Sequence, residues 1–94
     1  MITDKEKKNM QQLYKAVLAL KDEEEARKFF DDVATIKELL DLSSRLEVAR
    51  MLRDGAVFSE ISKETGASSA TISRVNKCLN YGEGGYETVL ERLK

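Results

Sequence analysis

The stretch from Phe58 to Lys77, FSEISKETGASSATISRVNK, constrains the fold of this chain more than any other. Ile61 and Thr65 fall one turn apart, Gly66 follows, and Ile72 and Val75 then recur at helical spacing. The pattern predicts two short helices joined by a tight turn. Gly66 is the residue that takes a positive φ without a Cβ clash. Ser62 is small, which predicts a close crossing of the two helices there, at the roughly 90–120° of a helix-turn-helix. The outward face of the second helix is then short and polar, with Ser68, Ser69, Ala70, Ser73, Arg74 and Lys77 upon it and Thr71 at its N-terminal end. These are the candidate DNA contacts, because hydroxyls and arginine suit base edges and lysine suits phosphates. Helical hairpins also occur in domains that touch no nucleic acid, so a helical protein-interaction module is the alternative.

The chain around this motif has the composition of helices. It lacks proline, has three Phe, three Tyr and no Trp, and is rich in Ala, Leu, Glu, Lys and Arg, which predicts an all-α fold of about six helices. Ninety-four residues make a single domain, 1–94, with a modest core, so association with a partner is expected. Net charge is −1 and offers no basic excess for phosphates, which weighs against DNA. The charge is unevenly placed: residues 1–21 hold five lysines against Asp4 and Glu6, and residues 22–32 hold six acids against Arg27 and Lys28. A lysine-bearing N-terminal arm can therefore lie along DNA while the acidic helix faces away. Cys78 stands alone, which excludes an intrachain disulfide and suits a reducing cytoplasm. Neither an apolar leader nor a membrane-spanning run is visible.

Taken in order, Thr3 and Glu6 have capping-box spacing, and Met10, Leu13, Tyr14, Val17 and Leu18 line one face of a first helix. Asp22 before Glu23, Glu24 and Glu25 marks a second start, followed by the stripe Ala26, Phe29, Phe30, Val33 and Ala34. Core packing is the expected role of both stripes. Thr35 and Glu38 repeat the capping-box spacing and open a third helix with Ile36, Leu39, Leu42, Leu46, Ala49 and Leu52 in line, widened by Leu40, Val48 and Met51. So broad an apolar surface exceeds what one small domain can cover, and part of it is expected to bury against a second copy. Gly55 is placed to stop this helix. Asn80 to Gly85, with three glycines, reads as a loop without the Lys-Ser/Thr ending of a phosphate-binding loop. Tyr86, Val89, Leu90 and Leu93 form the face of a last helix that closes the dimer core.

The chain contains no histidine, so Ser-His-Asp and Cys-His machinery cannot be assembled and the commonest zinc ligand is missing. No catalytic residue, metal site or cofactor is expected, and an enzyme is the least supported reading.

The residues Gly66-Ala67, Ala70-Thr71-Ile72-Ser73-Arg74 and Leu79, with Arg45 and Gly55 upstream, resemble the Trp repressor superfamily, in particular its YerC/YecD-like branch. The resemblance runs over about Thr35 to Leu93. It implies a Trp-repressor-like intertwined homodimer, a bacterial cytoplasmic regulator, expected to be a repressor, that binds a double-stranded operator. In Trp repressor two arginines flank the corepressor's indole, and Arg45 and Arg74 match their positions. Val75 stands where that repressor has a glycine and Cys78 where it has a serine, so tryptophan is not expected to bind; phosphate contact or surface ion pairing is the expected role of Arg45 and Arg74, with Arg45, Arg74 and Cys78 the candidate contacts for a smaller or different effector. Ser59 stands where the repressor's first motif helix has an arginine, and the preceding turn is one residue shorter here. The operator sequence therefore does not carry over.

Overall fold

The computed structural model describes every residue from Met1 to Lys94 as six helices and no strands. They are α1 (Asp4–Ala19), α2 (Glu23–Val33), α3 (Ile36–Arg53), α4 (Phe58–Thr65), α5 (Ser69–Tyr81) and α6 (Gly85–Arg92). The all-α expectation is met, and the helix starts lie where the capping residues predict them. The chain divides into two compact units, Met1–Ile36 and Lys37–Lys94.

In the first unit, the Thr3 hydroxyl accepts from the Glu6 amide at 3.1 Å while the Glu6 carboxylate accepts from the Thr3 amide at 2.8 Å. This reciprocal box satisfies two N–H groups that an α-helix leaves open at its start. The Glu6 carboxyl is held below the ordinary carboxylate range by those bonds with Thr3. Asp22 caps α2 by accepting from the Glu25 amide at 2.9 Å, and the Glu25 side chain accepts from the Lys21 amide at the same distance. Phe29 and Phe30 meet edge to face, with ring centroids 5.4 Å apart. Neither helix buries a residue, however. Met10, Leu13, Tyr14, Val17 and Leu18 of α1 and Val33 of α2 are exposed in the single chain, whereas Ala26, Phe29, Phe30 and Ala34 are half-buried. A pair of short helices has too little surface to cover two apolar faces.

The second unit carries the core. Val48, Ala49, Ile61 and Ile72 are 0 % exposed, and Met51, Val75 and Leu90 complete the cluster, with Leu46, Leu52, Ala56, Ala67 and Tyr86 packed against it. Only the C-terminal half of α3 takes part, since Leu40 and Leu42 remain exposed. At its end the Gly55 amide donates to the Leu52 carbonyl and the Ala56 amide to the Met51 carbonyl, both at 3.0 Å. This is the Schellman closure that Gly55 predicts. Ala56 is carried by it onto the core beside α4.

Helix α6 is tied to α3 by charge as well as by Leu90. The Arg53 guanidinium lies 2.9 Å from Glu87 and 2.5 Å from Glu91, and Lys94 lies 3.3 Å from Glu91. The hydrogen bond from Arg53 holds the Glu91 carboxyl below its usual range, with Lys94 adding to the effect. A depressed carboxyl contributes stability that is present above its unfolded pKa, about 4.3, and lost as pH falls through the folded value. Acidification is therefore expected to loosen α6. Urea unfolding at pH 7 and below pH 4 should show a smaller loss of stability in Glu91→Gln than in the unaltered chain. Equal losses would remove this pair from the account of acid sensitivity.

Candidate nucleic-acid interface

The turn between α4 and α5 is built from local hydrogen bonds. Gly66 takes φ 73°, and its amide donates to the Ser62 carbonyl at 2.8 Å. The Thr65 hydroxyl donates back to the Ile61 carbonyl at 2.7 Å and accepts from the Ala67 amide at 3.1 Å. Ser62 is exposed, and its hydroxyl donates to the Ala67 carbonyl at 3.0 Å. It therefore pins the turn from outside, rather than making room at the helix crossing as its size predicts.

Helix α5 starts where the motif requires. Ser68 is its N-cap, accepting from the Thr71 amide at 3.1 Å and donating its own hydroxyl proton to Thr71 Oγ1 at 3.1 Å. Ile72 and Val75 turn inward to the core. Ser68, Ser69, Ala70, Ser73, Arg74 and Lys77 are exposed, as the outward face predicts, while Thr71 is half-buried. The hydroxyls thus divide: Ser68 and Thr71 are engaged with each other, whereas those of Ser69 and Ser73 make no contact within the chain. The helix also runs further than the loop reading of Asn80–Gly85 allows. Asn80 and Tyr81 are helical, and the Asn80 side-chain amide donates to the Asn76 carbonyl at 3.0 Å and to Asn76 Oδ1 at 3.1 Å. A glycine-rich window alone cannot reveal that bond.

The charges near the motif differ from those elsewhere. Arg27 is held between Glu24 and Asp31, Arg50 between Glu47 and Asp54, and Arg53 between Glu87 and Glu91. The hydrogen bonds that these guanidinium groups donate to Glu24, Glu47 and Glu91 respectively lead the causes that raise their pKa values. Arg45, Arg74 and Lys77 make no ion pair, and residues 65–82 contain Arg74 and Lys77 without a single Asp or Glu.

The three effector candidates do not meet at one cavity. Arg45 lines a groove of about 560 Å³ with Asp41, Ser44, Gly66, Ser68 and Thr71, whereas Arg74 and Cys78 stand outside it. Cys78 is exposed and acts, with Arg45, on the half-buried Tyr86. Burial leads in raising the Tyr86 phenol, the Cys78 thiol adds to it, and Arg45 opposes. Val75 is 2 % exposed, so its isopropyl group belongs to the core.

Six helices, two of which, α4 and α5, form an exposed helix-turn-helix, define an all-helical protein of the helix-turn-helix class. The family model described as Trp repressor protein matches residues 8–94, and the chain belongs to that family, a family of transcription regulators. The match begins well before Thr35, so α1 and α2 are part of the family pattern. The chain is 56 % identical over 87 residues to YerC of Bacillus subtilis strain 168, covering 93 % of this chain and 84 % of that relative. It is similar to the crystal structure of a TrpR-like protein from Eubacterium eligens ATCC 27750, with TM-score 0.88 and 56 % identity over 92 % of this chain and 89 % of that one. A candidate Trp repressor from Staphylococcus aureus gives TM-score 0.87 and 42 % identity over 90 % and 85 % of the two chains.

The Ser68 cap should matter to the helix itself. Ser68→Ala is expected to cost about 1 kcal/mol of stability, the usual value for a lost N-cap, while Ser69→Ala, whose hydroxyl bonds to nothing in the chain, should leave stability nearly unchanged. Chemical unfolding of the two variants side by side tests the division; equal destabilisation would contradict it.

Proposed function

We propose that this chain is a sequence-specific, DNA-binding transcriptional repressor that works as a homodimer in the bacterial cytoplasm, one domain of 94 residues presenting one helix-turn-helix per subunit. The observation that carries the reading is the outward face of α5, exposed, hydroxylated and bearing two unpaired cations with no acid between residues 65 and 82. Membership of a regulatory family supports it. In this reading Ser69, Ala70 and Ser73 approach base edges, Arg74 meets a guanine edge or a phosphate, and Lys77 meets a phosphate. Ser68 and Thr71 hold the helix start and present it. No catalytic or metal chemistry is assigned to the chain.

The homodimer is supported by the exposed stripe of α1, by exposed Val33 on α2 and by exposed Leu40 and Leu42 on α3. Covering them contributes about 25 cal/mol per Å² of apolar surface removed from water. Sedimentation at micromolar concentration should give twice the 10.6 kDa of one chain. A stable, folded monomer there would overturn the dimer. If an effector acts, Arg45, Arg74 and Cys78 are the residues toward which it would bind, and buried Val75 argues against an indole. Calorimetry with tryptophan is expected to show no saturable heat, and micromolar binding would reverse that conclusion.

DNA binding is tested with a palindromic duplex selected from a random pool, its half-site centres about 34 Å apart. Lys77→Ala should weaken selected and unrelated sequences alike and make the salt slope shallower by about one unit. Ser69 substitutions should instead change which sequence wins, by about 1–3 kcal/mol at the affected base. If Arg74→Ala, Lys77→Ala and Ser69 variants all bind as the unaltered chain does, α5 is not reading DNA and a protein-interaction role replaces this one.

A further inference from the structure

We propose that Tyr81 is a further DNA-positioning residue, its phenol hydroxyl donating to a backbone phosphate at the edge of the groove that α5 enters. The proposal rests on α5 being the recognition helix. It comes from the part of that helix lying beyond the motif.

Ala70, Arg74, Lys77 and Tyr81 are separated by four, three and four residues, the spacing that keeps side chains on one face of a helix. Tyr81 is 85 % exposed, although it sits on a helix whose inner face is fully packed. It makes no hydrogen bond or ring contact within the chain. At about 1.5 Å of rise per residue, Ala70 and Tyr81 are roughly 16 Å apart along the axis. The major groove is about 12 Å wide. A helix that brings Ala70 to the base edges thus carries Tyr81 past the floor of the groove toward the bordering sugar-phosphate strand. Tyrosine suits that place, since its ring can lie on deoxyribose while its hydroxyl donates to a phosphate oxygen.

The last turn is also held firmly enough to aim the ring. Asn80 is bonded back to Asn76, and the Gly82 amide donates to the Cys78 carbonyl at 2.9 Å. A Cβ at Gly82 would run into that same carbonyl, so glycine is what lets the chain close the helix directly after Tyr81. With the backbone fixed, only the two side-chain torsions of tyrosine remain to be ordered on binding.

The test uses the full chain with the selected palindromic duplex and with an unrelated duplex of equal length. Tyr81→Phe and Tyr81→Ala are expected to weaken both complexes by about the same factor, roughly fivefold for the lost hydroxyl. The salt slope should not change, because no charge is removed. Thermal unfolding should match the unaltered chain, as an exposed side chain without contacts supports no packing. If Tyr81→Phe binds both duplexes as tightly as the unaltered chain while Arg74→Ala and Lys77→Ala weaken them, the Tyr81 contact is overturned and the recognition helix stands. If none of the three changes binding, both fail together. Lost affinity for the selected duplex alone would make Tyr81 a reader of sequence and overturn the backbone contact.

Discussion

The structure depends on one small packed contact, that of the inward faces of α4 and α5 with the C-terminal half of α3. Ile61 from α4 and Ile72 and Val75 from α5 share a core with Val48, Ala49 and Met51 from α3, and Leu90 adds the last helix. No polar side-chain atom is buried there without a partner. The orientation of the motif therefore rests on the shape of a few aliphatic side chains, and interiors packed this closely deform little. Fixing α5 against α3 in this way gives the outward face of α5 a defined direction. The hydrogen bonds of Ser62, Thr65 and Gly66 lock the turn from the other side.

That core is small for the apolar content of the chain. Helix α3 is divided along its length: its C-terminal half is the floor of the core, and Leu40 and Leu42 earlier in it face solvent. Helices α1 and α2 repeat the pattern with well-formed caps and no buried residue. Local hydrogen bonding and the helix dipole set where these helices begin, and the exposed face of α1 lacks a surface to rest on within the chain. An amphipathic helix in water gains most of its stability from burying its apolar face. In the homodimer proposed above, a second copy would supply that surface.

Much of this was legible in the sequence, and the misses have physical causes. Thr3, Asp22, Gly55 and Gly66 announce helix ends because capping and left-handed closure are local matters that residue types decide. Ile61, Ile72 and Val75 were legible as core because their spacing matches the helix period. Periodicity does not say what a stripe packs against, so it marks the apolar faces of α1 and α2 without showing that the single chain leaves that of α1 exposed. The end of α5 is hidden by composition, since a glycine-rich window reads as loop from Asn80 on, whereas the helix runs to Tyr81 and closes at Gly82. Ser62 was assigned to the helix crossing from its size, while its hydroxyl, bonded to Ala67, decides its place. Of the candidate site, the outward residues of α5 were legible from spacing, but the pairing of the Ser68 and Thr71 hydroxyls depends on side-chain rotamers that spacing does not reveal.

A net charge of −1 argues against a nucleic-acid partner only if charge acts as a sum. In water at physiological ionic strength the Debye length is about 8 Å, so a phosphate responds chiefly to the charges nearest it. The cations of this chain fall into two groups on that scale. Arg27, Arg50 and Arg53 each lie between two carboxylates, which leaves little field beyond the cluster. Arg74 and Lys77 lie on a helix without acids, whose N-terminal end adds the positive pole of its dipole on the side of Ser69 and Ala70. The acids that bring the total below zero include the six between residues 22 and 32 and the partners of the structural arginines. The net charge therefore bears on solubility and self-association, and the fitness of α5 for a phosphate is set by the neutral and basic run from Thr65 to Gly82.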